Sequence, residues 1–132
     1  MFFAFDDILT IVCFCLDEFS SLGYLSIQHP LNKFRKKGGR LMILAQSELQ
    51  INLAYSKLER EVMLENFKYI MVLGASTPKV QYELSDMIGV IKNTDGTTKR
   101  IVEPDELKLL GNYLYLINPG GAIKLRKNYY YL

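Results

Sequence analysis

Short apolar runs alternate along the chain with stretches whose apolar residues recur every three or four positions. That alternation predicts an α/β protein, with a mostly parallel sheet flanked by helices. The first run, Leu9 to Leu16, is apolar on both faces, the pattern of a central strand buried on each side. It stops at Asp17 and Glu18, and Gly23 lets the chain turn away. A helix from Pro30 to Lys37 follows, with Ile27, Leu31 and Phe34 as its apolar stripe and Gly38-Gly39 as its stop. Leu41 to Gln46 reads as the next buried strand. From Glu48 to Asn66, Ile51, Tyr55, Leu58 and Val62 recur at helical spacing while Glu59, Arg60 and Glu61 take the polar side, which predicts the longest helix.

The second half is punctuated more clearly. Lys68 to Ala75 is a third strand, and Thr77-Pro78 is a cap and first-turn pair for a helix carrying Val80, Leu84 and Met87 and ending at Gly89. Asp95-Gly96 centres a polar turn within a small hairpin from Val90 to Val102. Pro104 to Leu110 is one short helix closed by Gly111. Tyr113 to Ile117 and Ala122 to Leu132 form a C-terminal β-hairpin about Pro119-Gly120-Gly121, with Ile123 and Leu125 alternating against Lys124 and Arg126. No internal repeat or low-complexity segment interrupts the pattern.

Composition narrows the picture. A chain of 132 residues suits one domain, and at that size roughly two-thirds of the unfolded surface is buried. The net charge of +2 is too small to argue for nucleic-acid binding by itself, so any electrostatic case rests on local clusters. Cys13 and Cys15, two residues apart on one strand, close too short a loop for a disulfide. They are expected to be reduced, buried thiols in a cytoplasmic setting. Met1 to Leu16 is apolar, but Asp6 and Asp7 split it into pieces too short to span a bilayer, so no transmembrane segment is predicted. The stretch also lacks the basic start and small-residue cleavage site of a signal peptide.

The candidate chemistry lies where the first strand ends. An apolar run delivering two adjacent acids suits a Mg·ATP site, where one carboxylate holds a metal-bound water and a second orients the attacking water. Taken alone, the pair is equally compatible with helix capping or surface charge. The phosphate-cradling loop G-x-x-x-x-G-K-[ST] does not precede it, since only sixteen residues stand before Asp17 and none is glycine.

Four features nevertheless stand in a fixed order: the acidic strand end, a basic helix, a second strand ending at Gln46-Ser47, and a third strand after Asn66. In that order the sequences LDEFSSLG, FRKKGGRLMILAQS, ENFKYIMVLGAS and VEPDELKLL resemble the C-terminal half of the ATPase domain of TraG/TraD-like type IV secretion coupling proteins. The resemblance covers nearly the whole chain. It implies part of a RecA-like sheet from a hexameric motor at the cytoplasmic face of the membrane. Such motors feed DNA and protein substrates into a conjugation channel, together with relaxosome and secretion-channel proteins.

The resemblance also implies roles. Asp17 would coordinate Mg²⁺ through water, and Glu18 would orient or deprotonate the attacking water. Gln46 resembles the glutamine that senses the γ-phosphate, against the alternative of a strand-end amide bonded to a loop. Arg35 matches an arginine that reaches a neighbouring subunit's phosphates. Lys33, Lys36, Lys37 and Arg40 cluster with it and are open to a second reading, contact with a DNA backbone, and to a third, a solvated face. His29, before Pro30, reads as a loop or cap residue.

The family combines this half with a P-loop, membrane-anchoring helices and an inserted helical domain, none of which fits upstream of Asp17. ATP and Mg²⁺ are therefore cofactors of the full-length family, and the isolated chain, a truncated piece of such a motor, is expected neither to bind ATP tightly nor to hydrolyse it. The alternative is a non-catalytic interaction or DNA-binding module derived from that domain. Either way, a sheet lacking its first half leaves an edge and an apolar flank, which predicts self-association.

Overall fold

The computed structural model describes residues 13–26, 33–34, 36–45 and 48–128. The chain divides into two compact units, Met1–Leu64 and Glu65–Leu132.

In the first unit, β1 (Cys13–Leu16) and β2 (Arg40–Ile43) pair in parallel, with Cys13 opposite Arg40 and Leu16 opposite Ile43. The predicted residues 9–12 of the first strand and Gln46 of the second lie outside the described residues. Both strands alternate between half-buried and exposed positions, which corrects the reading of a first strand buried on each face. Phe14 and Leu16 turn inward, and the Phe14 ring stands edge-on to Phe34 at 5.0 Å between centroids. Cys13 and Cys15 are free, but they are exposed rather than buried. Strand alternation explains this: at period two, the inward positions go to the larger Phe14 and Leu16, and both thiols share the opposite face.

Ahead of β2, Lys33, Phe34 and Lys36 are helical. The helix stops as Gly38 takes a φ of 77° and the Gly39 amide donates to the Phe34 carbonyl at 2.9 Å, the six-to-one bond of a Schellman cap. A Cβ at Gly39 would come within 2.4 Å of the Phe34 ring, so only glycine permits this approach.

The single helix predicted over Glu48–Asn66 is two: α1 (Glu48–Ala54) and α2 (Lys57–Asn66). Ser56 causes the break. Its amide and hydroxyl both donate to Glu59 Oε2, at 2.9 and 2.8 Å, and the Glu59 amide donates back to the Ser56 hydroxyl at 3.3 Å. This reciprocal S-x-x-E capping box starts a new helix. The restart shifts the apolar stripe: Tyr55 and Met63 are buried, whereas Leu58, expected on the inner face, is exposed.

Glu59 is held below its ordinary pKa of 4.5, first by the Ser56 amide, then by the Ser56 hydroxyl and the Tyr24 hydroxyl. A carboxyl depressed on folding contributes stability that is present above 4.5 and is lost as pH falls through the lowered value. Ser56→Ala is expected to cost about 1 kcal/mol at neutral pH. The difference between variant and parent in urea midpoint should narrow as the pH falls from about 7 to below 4.5 and through the lowered value.

In the second unit, β3 (Ile70–Val72), β6 (Tyr113–Asn118) and β7 (Gly121–Arg126) form an antiparallel sheet in the order β3-β6-β7. Helix α3 (Pro78–Ile88), the hairpin of β4 (Val90–Lys92) with β5 (Thr98–Arg100), and a 3₁₀ helix at Pro104–Leu109 lie between β3 and β6 in sequence. Both predicted hairpins are present. The α/β class holds, while parallel pairing among the described residues is confined to β1 and β2. The direction of β6 follows from contacts made at the exit of β3. The Ala75 amide donates to the Leu107 carbonyl at 3.0 Å, and Lys127 Nζ donates to the carbonyls of Leu73 and Gly111. The chain thus enters β6 beside the exit of β3 and must run back along it.

Val72, Ile88, Val102, Leu107, Leu110 and Tyr115 make the core of this unit. Two polar residues of α3 share the buried face, a departure from the expected stripe. Gln81 Nε2 donates to the Ala75 carbonyl at 3.1 Å. Ser85 Oγ donates to the Val102 carbonyl at 2.6 Å and accepts from Arg100, which also pairs with Asp86. These bonds satisfy groups that would be costly to bury alone. Thr77 occupies the cap position with extended backbone, but its side chain makes no cap bond; Pro78 does open the helix. Among the described residues, no helix is long and apolar enough to cross a membrane.

Candidate functional site

Asp17 and Glu18 leave β1 at the end where β2 also finishes. The main chain of Leu44 holds the two ends together: its amide donates to the Leu16 carbonyl at 2.9 Å and its carbonyl accepts from the Phe19 amide at 3.1 Å. Both carboxylates are exposed. Asp17 Oδ1 accepts the Glu18 amide at 2.9 Å. Glu18 itself takes φ 47° and ψ 43°, the left-handed region that side chains other than asparagine and aspartate seldom enter. It is the one non-glycine residue with positive φ among the described residues. Backbone strain of this sort concentrates at functional sites, where the surrounding structure enforces it.

The enforcing contact is Phe19. Fully buried, it opens the 3₁₀ turn Phe19–Leu22 and stacks on Tyr55, 5.6 Å between centroids and 13° between planes. The Tyr55 hydroxyl donates to the Leu25 carbonyl at 3.0 Å and accepts the Leu25 amide at 2.9 Å. Tyr24 packs on the same ring, and its hydroxyl donates to Glu59 Oε1 at 2.9 Å, a bond that raises the Tyr24 pKa. The segment after the acids is thereby tied at both ends. In the sequence Phe19 stands only within the LDEFSSLG run and Tyr55 only within a helical stripe. An aromatic immediately after an acidic strand end was the available signal.

The basic residues fall elsewhere. Arg40 is the first residue of β2, opposite Cys13, so it marks the beginning of the parallel pair while Asp17 and Glu18 mark its end. Lys33, Lys36 and Lys37 belong to the helix and turn leading into that beginning, and all are exposed. The structure therefore separates the exposed basic group from the acids along the strand direction. Arg35 and Gln46, which the sequence suggests as phosphate-contacting residues, lie outside the described residues.

The two carboxylates suit a hard cation. Mg²⁺ is commonly held through one or two carboxylates, several waters and the substrate's own phosphates. No group of three or more potential ligands from His, Cys, Asp and Glu is found among the described residues.

The fold is that of plasmid coupling proteins. The plasmid coupling protein TrwB in complex with the ATP analogue ADPNP superposes with a TM-score of 0.84 at 25% identity, over 93% of this chain and 32% of that one. TrwB with the GTP analogue GDPNP gives 0.81 at 25% identity over the same shares. TrwB with ADP and Mg²⁺ gives 0.82 at 24% identity, again over 93% and 32%. Residues 11–111 match the family described as the TraM recognition site of TraD and TraG, and the chain belongs to that family. It spans about a third of the length of the TrwB chains it matches. A search of curated proteins finds no match.

Proposed function

We propose that residues 1–132 are the C-terminal portion of a RecA-like ATPase domain of a conjugative coupling protein, whose complete form drives DNA and protein substrates into a type IV secretion channel. The observation that carries this reading is the strained Glu18 directly after Asp17, at the shared end of two parallel strands. In it, Asp17 holds a water on Mg²⁺, Glu18 orients the attacking water, Gln46 senses the γ-phosphate and Arg35 reaches the nucleotide of a neighbouring subunit in a hexameric ring. The nucleotide and Mg²⁺ in the TrwB complexes support ATP and Mg²⁺ as the cofactors. The chain contains no G-x-x-x-x-G-K-[ST] sequence. Because that loop's backbone amides and lysine cradle the phosphates, the isolated chain binds ATP weakly and does not turn it over. The working protein acts in the cytoplasm, at the membrane face.

Relaxosome recognition is the companion role. The family description names TraM recognition, which supports a TraM-like relaxosome protein as a partner. The exposed group of Lys33, Lys36, Lys37 and Arg40 supports contact with a DNA backbone, either within the motor or as a non-catalytic binding module.

The test joins this chain to the P-loop half of a coupling-protein ATPase domain. ATP turnover is expected from the joined protein, with Glu18→Gln lowering kcat at least about 100-fold while nucleotide affinity is kept. The isolated chain should give no turnover above its own Glu18→Gln variant. A joined protein indifferent to Glu18→Gln would remove the catalytic assignment.

A further inference from the structure

Cys13 and Cys15 are exposed free thiols that play no part in the nucleotide chemistry. They share one face of β1, because residues two apart on a strand point the same way. The other face turns inward, where Phe14 meets Phe34. β2 repeats the pattern. Its register sets Met42 opposite Cys15 and Arg40 opposite Cys13, and both lie on the thiol face, with Met42 47% exposed. Two thiols and a thioether therefore stand together on one surface of the parallel pair.

Spacing decides what these sulfurs can do. Side chains two apart on a strand are separated by about 6.6 Å, whereas a disulfide needs Cβ atoms about 3.8 Å apart. The thiols cannot bond to each other without breaking the strand, but they can share an ion. With metal–sulfur bonds of about 2.3 Å, three sulfurs around one ion stand roughly 4 Å apart, and each thiol has only to lean inward by rotation about χ1. Met42 lies about 4.8 Å from Cys15 across the pair, and its unbranched side chain reaches the same point.

Donor softness selects the ion. Thiolate and thioether sulfur favour Cu(I), whereas Zn²⁺ takes four ligands from thiolate, imidazole and carboxylate. The thiols gain no third partner of that second kind, since no group of three from His, Cys, Asp and Glu occurs among the described residues.

We propose that Cys13, Cys15 and Met42 form a three-sulfur site for Cu(I). Binding releases the two thiol protons to solvent and changes no oxidation state. Two thiolates on a monovalent ion leave one net negative charge, and Arg40 lies on the same face to offset it. The bound ion ties β1 to β2 just before the strand end that carries Asp17 and Glu18.

The test supplies Cu(I) anaerobically, as its acetonitrile complex, to the reduced whole chain in competition with the chromophoric chelator bicinchoninate. One ion per chain is expected. Cys13→Ser and Cys15→Ser should each lower the affinity at least about 100-fold and Met42→Leu about 10-fold, with the far-UV circular dichroism of the three variants unchanged. The thioether's share depends on folding. Cys13 and Cys15 stay neighbours in an unfolded chain, while Met42 joins them only through the β1-β2 pairing, so Met42→Leu should have no effect in the urea-unfolded chain. X-ray absorption at the copper edge of the parent chain, which needs no variant, should count three sulfur neighbours. Two sulfurs would overturn the site, as would a folded Met42→Leu chain that binds as tightly as the parent, binding that survives either serine variant, or one ion shared between two chains. Failure to bind Cu(I) leaves the Glu18 assignment untouched, and loss of that assignment leaves the copper test intact.

Discussion

Phe19→Ala is expected to destabilise the chain by about 3–5 kcal/mol, the range for removing a fully buried phenylalanine. Three losses add up at this position. The ring's transfer from water is given up, a cavity opens beside Tyr55, and the stacked pair of rings is broken; that pairing alone is worth about 0.5–1.5 kcal/mol. A domain commonly has only about 5–15 kcal/mol of net stability, so the variant should be marginal. The effect also reaches the candidate site. Phe19 follows Glu18 directly, and its amide is bonded to the Leu44 carbonyl, so losing the buried ring frees the turn that holds Glu18 in its left-handed conformation. The chain has no tryptophan. Urea unfolding is therefore followed by far-UV circular dichroism, and the stacked tyrosine by its near-UV band. A shift under about 1 kcal/mol would mean that the buried ring is not what holds this turn.

Leu107→Ala should cost a comparable amount, about 2–5 kcal/mol. Leu107 is fully buried among Val72, Ile88, Val102, Leu110 and Tyr115. Its carbonyl also accepts the Ala75 amide. Alanine keeps that backbone bond while emptying the side-chain site, so the loss reports packing alone. The chosen contrast is Leu109→Ala, two residues along the same 3₁₀ turn. Leu109 is exposed, and its replacement should fall within about 0.5 kcal/mol of the parent in the same urea titration. Equal losses at the two positions would mean that the turn does not present Leu107 inward.

Much of this architecture is legible in the sequence where punctuation is strong. Asp95-Gly96 and Pro119-Gly120 mark hairpins that form with β4-β5 and β6-β7, and Pro78 and Gly89 bracket α3. What escapes the pattern depends on contacts distant in sequence. The direction of β6 is set by Ala75 meeting Leu107, thirty-two positions away, which no local periodicity reports. Ser56 was readable, since S-x-x-E is a start signal, but the apolar stripe running through it concealed the break. The outward turn of Ile123 and Leu125 is not readable: alternation fixes that neighbours face opposite ways, and only the register against β6, with Tyr115 in the core, decides which way is in. The acidic strand end is legible in sequence as a pair of adjacent carboxylates, but the left-handed backbone of Glu18 and the buried ring that follows it are not. Both arise from tertiary contact.

The left-handed turn at Glu18 sets folding against chemistry at a single position. A side chain reaches that backbone region at a cost of about 1–2 kcal/mol, which glycine does not incur and asparagine largely avoids. The residues that would make this turn easiest to fold are the ones that carry no carboxylate to an attacking water. Position 18 is thus a place where a stabilised variant and a catalytically useful one part company, and improvement of the chain by stability alone would tend to erase the group on which its proposed chemistry depends.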